Sequence, residues 1–483
     1  MRIYKYLIIL SLGIFLSSCG ENLAELNVDP NNSPSARPQE VLTSGIGYYG
    51  IALDDNFNEN NALMAQYWAG GPGVALLDHE RYFFEPGDFN AEWGRTYQQS
   101  LSDLSFVIKN GNDTRSGVAQ ILSVNIYQTL VDLYGDIPYS EALKGAIEDG
   151  SILTPKYDDA KVIYSDLIVK LDDALVKIAK GGEIGNEDLI FKGDLSKWVK
   201  FANSLKLKIL MRQALVDASV GAQVKELISK GDFINTATDM AAIPFSGGAT
   251  NNWNPAYAAS EAGIGLFYVA SNSIINVMNG LNDPRRSVIF NPASKTGTIV
   301  GLDQGNINEL ESPSPNDFSE PSSVAYGPTN SVILMSHWEV MFLRAEAAMR
   351  FGTTDDEKAM FDNAVLAHFS YIGAPGGQSY ITNDVNYDAG ASVSVKSNVI
   401  GIQKWISMCG LQETEGWIEA RRFDTPESRL FTGQGTGIFK TPTRTVLGAN
   451  VFPSIRLYPQ SELSFNPNSP KTRKITDRVF WDN

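Results

Sequence analysis

The sequence predicts a mainly all-α protein, built of stacked helical hairpins that carry long irregular loop insertions, with minor β content. Apolar residues recur at helical spacing over long stretches of a 483-residue chain that is 43% hydrophobic, the pattern of helices with one buried face. Two helix-capping sequences follow each other closely near residue 340. Between the periodic stretches lie segments rich in Gly, Pro, Ser and Asn that keep neither the helical nor the strand period.

Residues 1–18 have a positive start (Arg2, Lys5), an apolar run from Leu7 to Leu16, and small residues before Cys19. This is the layout of a signal peptide, since the apolar run is too short for the ~20 residues a bilayer span needs. Leu16-Ser17-Ser18-Cys19 matches the bacterial lipobox, so Cys19 is expected to carry a diacylglyceryl group and become the mature N-terminus. A single lipidated residue of this kind holds a protein to a membrane without spanning it. Residues 19–38 read as a tether, because its prolines and clustered Asn, Asp and Ser forbid a long helix. Residues 39–483 then form the helical domain.

Within that domain, Val118, Ile121, Leu122, Ile126, Leu130 and Leu133 keep one apolar stripe, and Ile163, Leu167, Leu171, Leu175 and Ile178 keep a second. Thr154-Pro155 is expected to open the second helix, with the hydroxyl as cap and proline at the first position. A third stripe runs through Trp198, Phe201, Ala202, Leu205 and Ile209. Ser336-His337-Trp338-Glu339 predicts a helix ending at Gly352, and Thr354-Asp355-Asp356-Glu357 predicts the next, running to about Tyr371. So short a link forces the two helices antiparallel, and a pair of about 34 residues has the tetratricopeptide period. Residues 239–265 and 291–332 are the long insertions, so the loop-rich face is placed at about 239–332. Loops of that length in a folded chain are usually functional surfaces. A hairpin within 380–400 is the expected strand content.

The formal net charge is −16 with a pI near 4.8. Removing residues 1–18 takes away two basic residues and no acid, so the mature chain is more acidic still. Such an excess repels phosphate backbones, and nucleic acid is excluded as a partner. Once Cys19 is lipidated, Cys409 has no partner, so no disulfide frames the fold; on an apolar helical face it reads as an inert buried thiol.

Eight phrases, taken together and in order, resemble the SusD/RagB-like family, in the branch called SusD-like 2. They are Leu26-Asn27-Val28-Asp29-Pro30-Asn31-Asn32; Leu133-Tyr134-Gly135-Asp136-Ile137-Pro138-Tyr139 with Glu141-Ala142-Leu143; Thr154-Pro155-Lys156-Tyr157-Asp158; the run from Trp198 to Leu207; Asp283-Pro284-Arg285; the run from Phe342 to Ala348; Gln403-Lys404-Trp405; and Trp417-Ile418-Glu419-Ala420-Arg421-Arg422. Two departures bear on the subfamily and not on the fold. Ile455 stands where the family usually pairs an arginine with Arg456-Leu457-Tyr458-Pro459, and Phe423-Asp424-Thr425-Pro426 follows the double arginine. The resemblance implies tetratricopeptide-like helical pairs with a loop-rich ligand face. It also implies a lipid-anchored protein of the outer membrane in Bacteroidota that captures glycans, or in some cases peptides, for a SusC-like TonB-dependent transporter.

Catalytic constellations are missing. The three histidines, His79, His337 and His368, fall in no zinc-hydrolase motif, and no nucleophile elbow, P-loop or Cys-x-x-Cys occurs. No metal, cofactor or catalytic residue is therefore assigned. Asp29, Asn31, Ser33 and Glu40 take EF-hand positions, but Pro34 stands where that loop needs glycine. The acidic cluster Asp54-Asp55-Asn56 with Asn58 and Glu59 reads as a solvated loop rather than a cation site. Two suitably spaced carboxylates would make a glycosidase, so a surface glycan hydrolase stands as the alternative from another class, beside a peptide-capturing homologue and a transporter lid.

For glycan capture the useful residues are aromatics, which stack on the C–H faces of sugars, and amides, which bond their hydroxyls. Asn252, Trp253, Asn254 and Tyr257 offer both in one loop, and Tyr67 and Trp68, before Gly70-Gly71-Pro72-Gly73, offer a second group. These two groups are expected to meet at one exposed site; the competing reading makes Trp68 and Trp253 core or transporter-contact residues. Trp93, Trp198, Trp405 and Trp417 lie on helical faces and read as core. Asp283-Pro284-Arg285 reads as a turn with a local ion pair, and Arg421-Arg422 as a partner for internal carboxylates.

Overall fold

The computed structural model describes residues 36–54, 56–72, 78–146, 149–249, 252–261, 268–385 and 387–482. The signal peptide, the lipidation site Cys19, nearly all of the tether and the EF-hand-like residues Asp29, Asn31 and Ser33 lie outside the described residues, as do Asp55 and Gly73. The described chain is mainly helical. Helix α1 (Pro38–Asp54) is followed by α2 (Asn56–Met64), and α3 (Asn90–Gly94) runs through a π-helical segment, Arg95–Leu101, into α4 (Ser102–Asn110). Helix α5 (Asp113–Tyr134) is buried at every position except Asp113 and Arg115, which makes it the axis of the scaffold. Asn112 caps it by accepting the Arg115 N–H at 2.8 Å.

Helix α6 (Ala160–Ala179) lies against α5, and Gly117 allows the close approach: a Cβ there would sit 2.9 Å from the Ala174 carbonyl oxygen. Helix α6 does not begin at Thr154-Pro155. Its cap is Asp159, which accepts the N–H groups of Lys161 and Val162. The preceding residues are drawn off into a short strand, Tyr157–Asp158. The Thr154 and Pro155 carbonyls accept from Asn468 and Asn466.

Helices α7 (Leu195–Arg212) and α8 (Val220–Lys230) form the next pair. Helix α9 (Pro255–Glu261) and helix α10 (Asn272–Gly280) lie in the insertion. Helix α11 (His337–Phe351) packs on α7 and α8, and antiparallel to it runs α12 (Glu357–Ile372). Ser336 caps α11 through the Glu339 N–H, and Gly352 ends it at φ 63°, a left-handed backbone that glycine adopts without strain. The cap of α12 is Asp356, which accepts the Ala359 N–H at 2.9 Å, and not Thr354. Asp355 is taken by Arg344. Helices α13 (Val393–Met408) and α14 (Glu413–Phe423) pair next, and α14 packs on α2, closing the stack. The short α15 (Gln460–Phe465) follows.

Among the described residues strands are few and paired in antiparallel twos: β1 (Trp68–Gly70) with β5 (Tyr268–Ala270), β2 (Ile137–Pro138) with β3 (Tyr157–Asp158), and β4 (Ala241–Ile243) with β6 (Val332–Met335). Among the described residues no strand falls within 380–400, where a hairpin is expected. Ile381–Val385 is π-helical, and Ser392 caps α13. Tyr387 is held against α12 by stacking on Phe361 at 4.4 Å and by donating to Glu357 at 2.6 Å. Strands β4 and β6 bring residues 244 and 331 side by side, so the long insertion leaves and rejoins the scaffold at one place. Its middle is pinned by the pairing of β5 with β1.

Charged groups rivet the helices from inside. Arg422 makes a two-pronged bond to Glu346, at 2.8 and 2.6 Å, and also donates to Glu419. Arg212 pairs with Asp132, Glu415 and Glu419, and Lys404 with Glu419 at 3.0 Å. All of these side chains are buried, where one unpaired member is costly and the paired set fixes register. Arg456 likewise pairs with Glu92, in the segment where the family phrase departs. Arg421 differs from the expectation: it bonds the carbonyls of Asp132 and Ser454 rather than a carboxylate. Arg285 and Asp283 form their local ion pair, fully buried. No described helix is long and apolar enough to cross a membrane.

Candidate functional site

The insertion turns outward after β4. Gly247 has φ +65°, and a Cβ there would meet the Thr329 methyl at 2.8 Å. The turn closes where the Gly247 N–H donates to the Asn252 carbonyl and the Asn252 N–H to that of Ala249. Asn254 then anchors the loop. Its N–H donates to the Pro328 carbonyl at 2.9 Å, and its amide donates to Asp54 at 2.6 Å and to the Asn330 carbonyl at 3.1 Å. Its side-chain oxygen accepts the Tyr257 N–H at 3.0 Å, capping α9. With both amide hydrogens committed and 3% exposure, Asn254 positions the loop and is not free to hold a ligand.

What the anchored loop presents is an aromatic pair. The Trp253 and Tyr257 rings meet edge to face, with centroids 5.2 Å apart and planes at 77°. Both residues are part-exposed, and Asn252 beside them is exposed. Two rings at a steep angle offer a corner, one wall for the face of a ring and one for its edge, and an adjacent amide supplies both a donor and an acceptor.

Tyr67 and Trp68 do not join them. Both are fully buried. Tyr67 stacks on Trp405 at 5.2 Å and donates to its carbonyl at 2.6 Å. Trp68 donates through Nε1 to Glu413 and lies against Phe290 and Tyr326. The segment 322–330 touches both groups: Tyr326 covers Trp68, while Pro328 and Asn330 hold Asn254. The expectation of one exposed site made of the two groups is corrected: Tyr67 and Trp68 are core residues, and the Asn252 loop alone carries the part-exposed rings.

Sequence reasoning missed the supporting residues. Asn330 donates to the carbonyls of Val324 and Ala325 at 3.0 and 3.2 Å. Its only local signal was the turn-prone Gly327-Pro328-Thr329-Asn330. Asp54, read from sequence as part of a solvated acidic cluster, is the acceptor for Asn254. Beside Trp68 and Tyr326, burial raises Glu413 to about 8, with a smaller push from Asp54, against the lowering bonds from Trp68, Tyr326 and Gly410. Burial holds Cys409, a free thiol, well above its ordinary value, consistent with an unreactive core residue. Trp93, Trp198, Trp405 and Trp417 are core residues. His337 and His368 are buried, and burial lowers both, His337 to about 4, so neither is charged at neutral pH. Among the described residues no group of three or more His, Cys, Asp or Glu side chains is placed to hold a metal ion.

A helical scaffold displaying aromatic-bearing loops defines a binding protein, and comparison with known proteins gives its family. The SusD-like 2 family, described as "Starch-binding associating with outer membrane", matches residues 30–444. This chain belongs to that family, whose members are binding proteins and not enzymes. Among solved structures, a chitin-binding protein is similar with a TM-score of 0.77 at 23% identity, covering 92% of this chain and 100% of its own. A SusD homologue from Bacteroides uniformis gives 0.77 at 23%, covering 93% and 100%. A chitin-binding SusD homologue from Flavobacterium johnsoniae gives 0.74 at 21%, covering 92% and 97%. These likenesses establish the fold. No curated protein matches the chain significantly.

Proposed function

We propose that this protein is a cell-surface lipoprotein that binds oligosaccharides or polysaccharides and passes them to a SusC-like TonB-dependent transporter. Residues 1–18 are removed, Cys19 carries the lipid, residues 19–38 tether the body, and the insertion at about 239–332 forms the ligand face. The observation that supports glycan as the ligand is the Trp253–Tyr257 corner beside Asn252, anchored to the scaffold through Asn254. A pyranose laid on one ring buries its C–H face, and Asn252 bonds a rim hydroxyl. The family's description as starch-binding and the chitin-binding relatives of the same fold favour a glycan over a peptide.

Titration of the purified mature chain with starch-derived and chitin-derived oligosaccharides, followed by prolonged incubation, tests this reading. Saturable binding with no shortened product is expected. Release of smaller sugars would replace it with the hydrolase, and binding of peptides but no glycan would replace it with peptide capture. Import undiminished in cells lacking the lipoprotein would remove the delivery role.

A further inference from the structure

A cavity of about 440 Å3 opens between α4, α5, α6 and the loop that follows β2. Leu101, Val124, Tyr127 and Leu167 line it and are buried; Ile108 and Leu143, half-buried, extend the apolar wall. The rings of Tyr127 and Tyr139, both in the lining, meet edge to face with centroids 4.8 Å apart and planes at 85°. Most polar groups of the lining are already engaged. The Tyr139 hydroxyl donates to Asp166 at 2.6 Å, the Ser123 hydroxyl to the Ala119 carbonyl at 2.8 Å, and the Ser140 hydroxyl to Asp158 at 2.8 Å. Gln120 has both ends committed, donating to the Lys170 carbonyl and to Asp173 and accepting from Lys177.

The charged residues of the lining are Lys109, Lys144, Lys170, Asp149 and Asp166. Asp149 is paired with Lys109 at 2.6 Å, and Asp166 holds the Tyr139 hydroxyl. Lys144 and Lys170 are exposed, at the mouth, and make no ion pair among the described residues. In a chain of net charge −16 this is a local excess of cations over an apolar interior. A cation would meet three lysines there, a sugar would find most of the polar lining spent, and a plain hydrocarbon would leave the lysines unused. An alkyl chain that ends in an anion uses both features, because water lying against apolar walls is displaced with a gain and the head stays beside the ammonium groups. At about 30 Å3 per water-sized group the space takes on the order of a dozen of them, the body of a medium-length chain.

We propose that this cavity binds a single-chain aliphatic acid, with the chain among Leu101, Val124, Leu167 and the two tyrosines and the carboxylate at Lys144 and Lys170. None of Asn252, Trp253 and Tyr257 lines it, so the site is separate from the aromatic corner and does not rest on the glycan reading.

Calorimetry of the purified mature chain with sodium hexanoate, octanoate, decanoate and dodecanoate tests the proposal. Saturable one-to-one binding is expected, tightening about fourfold with each added methylene until the chain fills the cavity. Decanol is expected to bind about tenfold more weakly than decanoate. Lys144→Glu/Lys170→Glu, a change at two exposed positions that leaves the walls intact, is expected to weaken decanoate about tenfold and to leave decanol unmoved. Ser105→Trp, which puts a ring into the space, is expected to weaken both, with the melting temperature measured alongside. No saturable binding, equal affinities for decanoate and decanol, or a decanoate affinity unchanged by the two lysine substitutions would overturn the proposal. So would co-sedimentation with phosphatidylglycerol vesicles without binding of the free acids, which would make the lysines a membrane contact. Oligosaccharide affinity at the Trp253 corner is a separate measurement, and neither result decides the other.

Discussion

Replacing Glu413 with glutamine is expected to stabilise the protein at pH 8 and to do so progressively less as the pH falls. Glu413 is 1% exposed, and burial lifts it from an ordinary 4.5 to about 8. Between those values the folded chain holds a proton that the unfolded chain has released, so folding stability falls as pH rises through that window and levels off above it. At about 1.4 kcal/mol per pH unit the ceiling on this loss is on the order of 5 kcal/mol. Glutamine retains a carbonyl oxygen for the Trp68 and Gly410 N–H groups and turns its amide toward the Tyr326 oxygen, so it keeps the contacts and loses the titration. Urea unfolding of both chains at pH 5, 6, 7 and 8 reads the difference. The other raised carboxylates, Glu80 at about 7 and Asp482 at about 6, are common to both chains and cancel. A stability difference that stays constant with pH, or that grows toward pH 5, would refute the assignment of a buried proton to Glu413.

Three further perturbations probe the scaffold. Ser336→Ala removes the cap of α11 and is expected to cost about 1 kcal/mol in urea unfolding. Arg422→Met strips Glu346 and Glu419 of their shared partner and is expected to cost about 3–5 kcal/mol. Burial alone would raise Glu346, but Arg422 and Arg350 hold it at about 2. Its contribution is present above pH 4.5 and lost as the pH falls toward 2, so the variant's acid unfolding is expected to move to higher pH. Gly416→Ala drives a methyl into the Tyr67 ring and is expected to cost about 1–3 kcal/mol, seen as a lowered melting temperature.

What the sequence revealed is what is decided locally. The Ser336 cap, the Gly352 stop and the apolar stripes of α5, α6 and α7 depend on neighbours within a few residues. The family phrases were legible for a different reason. Glu346, Lys404, Glu419 and Arg422 are the inward-facing charges that tie one helical pair to the next, and a buried charge leaves few acceptable substitutes. The misreadings share a cause as well. Thr354, Asp355 and Asp356 are all competent caps, and the choice among them fell to Asp356 because Arg344, on the preceding helix, occupies Asp355. Thr154-Pro155 has a sound helix start, yet residues more than three hundred positions later hold its carbonyls. Trp68 sits among glycines as an exposed aromatic would, but its hydrogen-bond partner, Glu413, is 345 positions away. Of the candidate site, the pairing of Trp253 with Tyr257 follows from their four-residue spacing across the start of one short helix, whereas the anchoring of Asn254 by Asp54 and Asn330 depends on how the insertion folds back.

The central claim is that an exposed aromatic corner grips glycan, and one titration tests it most directly: the affinity of Trp253→Ala for an oligosaccharide that the parent binds, with the melting temperature measured alongside. A loss of about thirtyfold or more, the mark of a residue that dominates an interface, with melting unchanged, is the predicted result. An affinity equal to the parent's in a fully folded Trp253→Ala protein would contradict it.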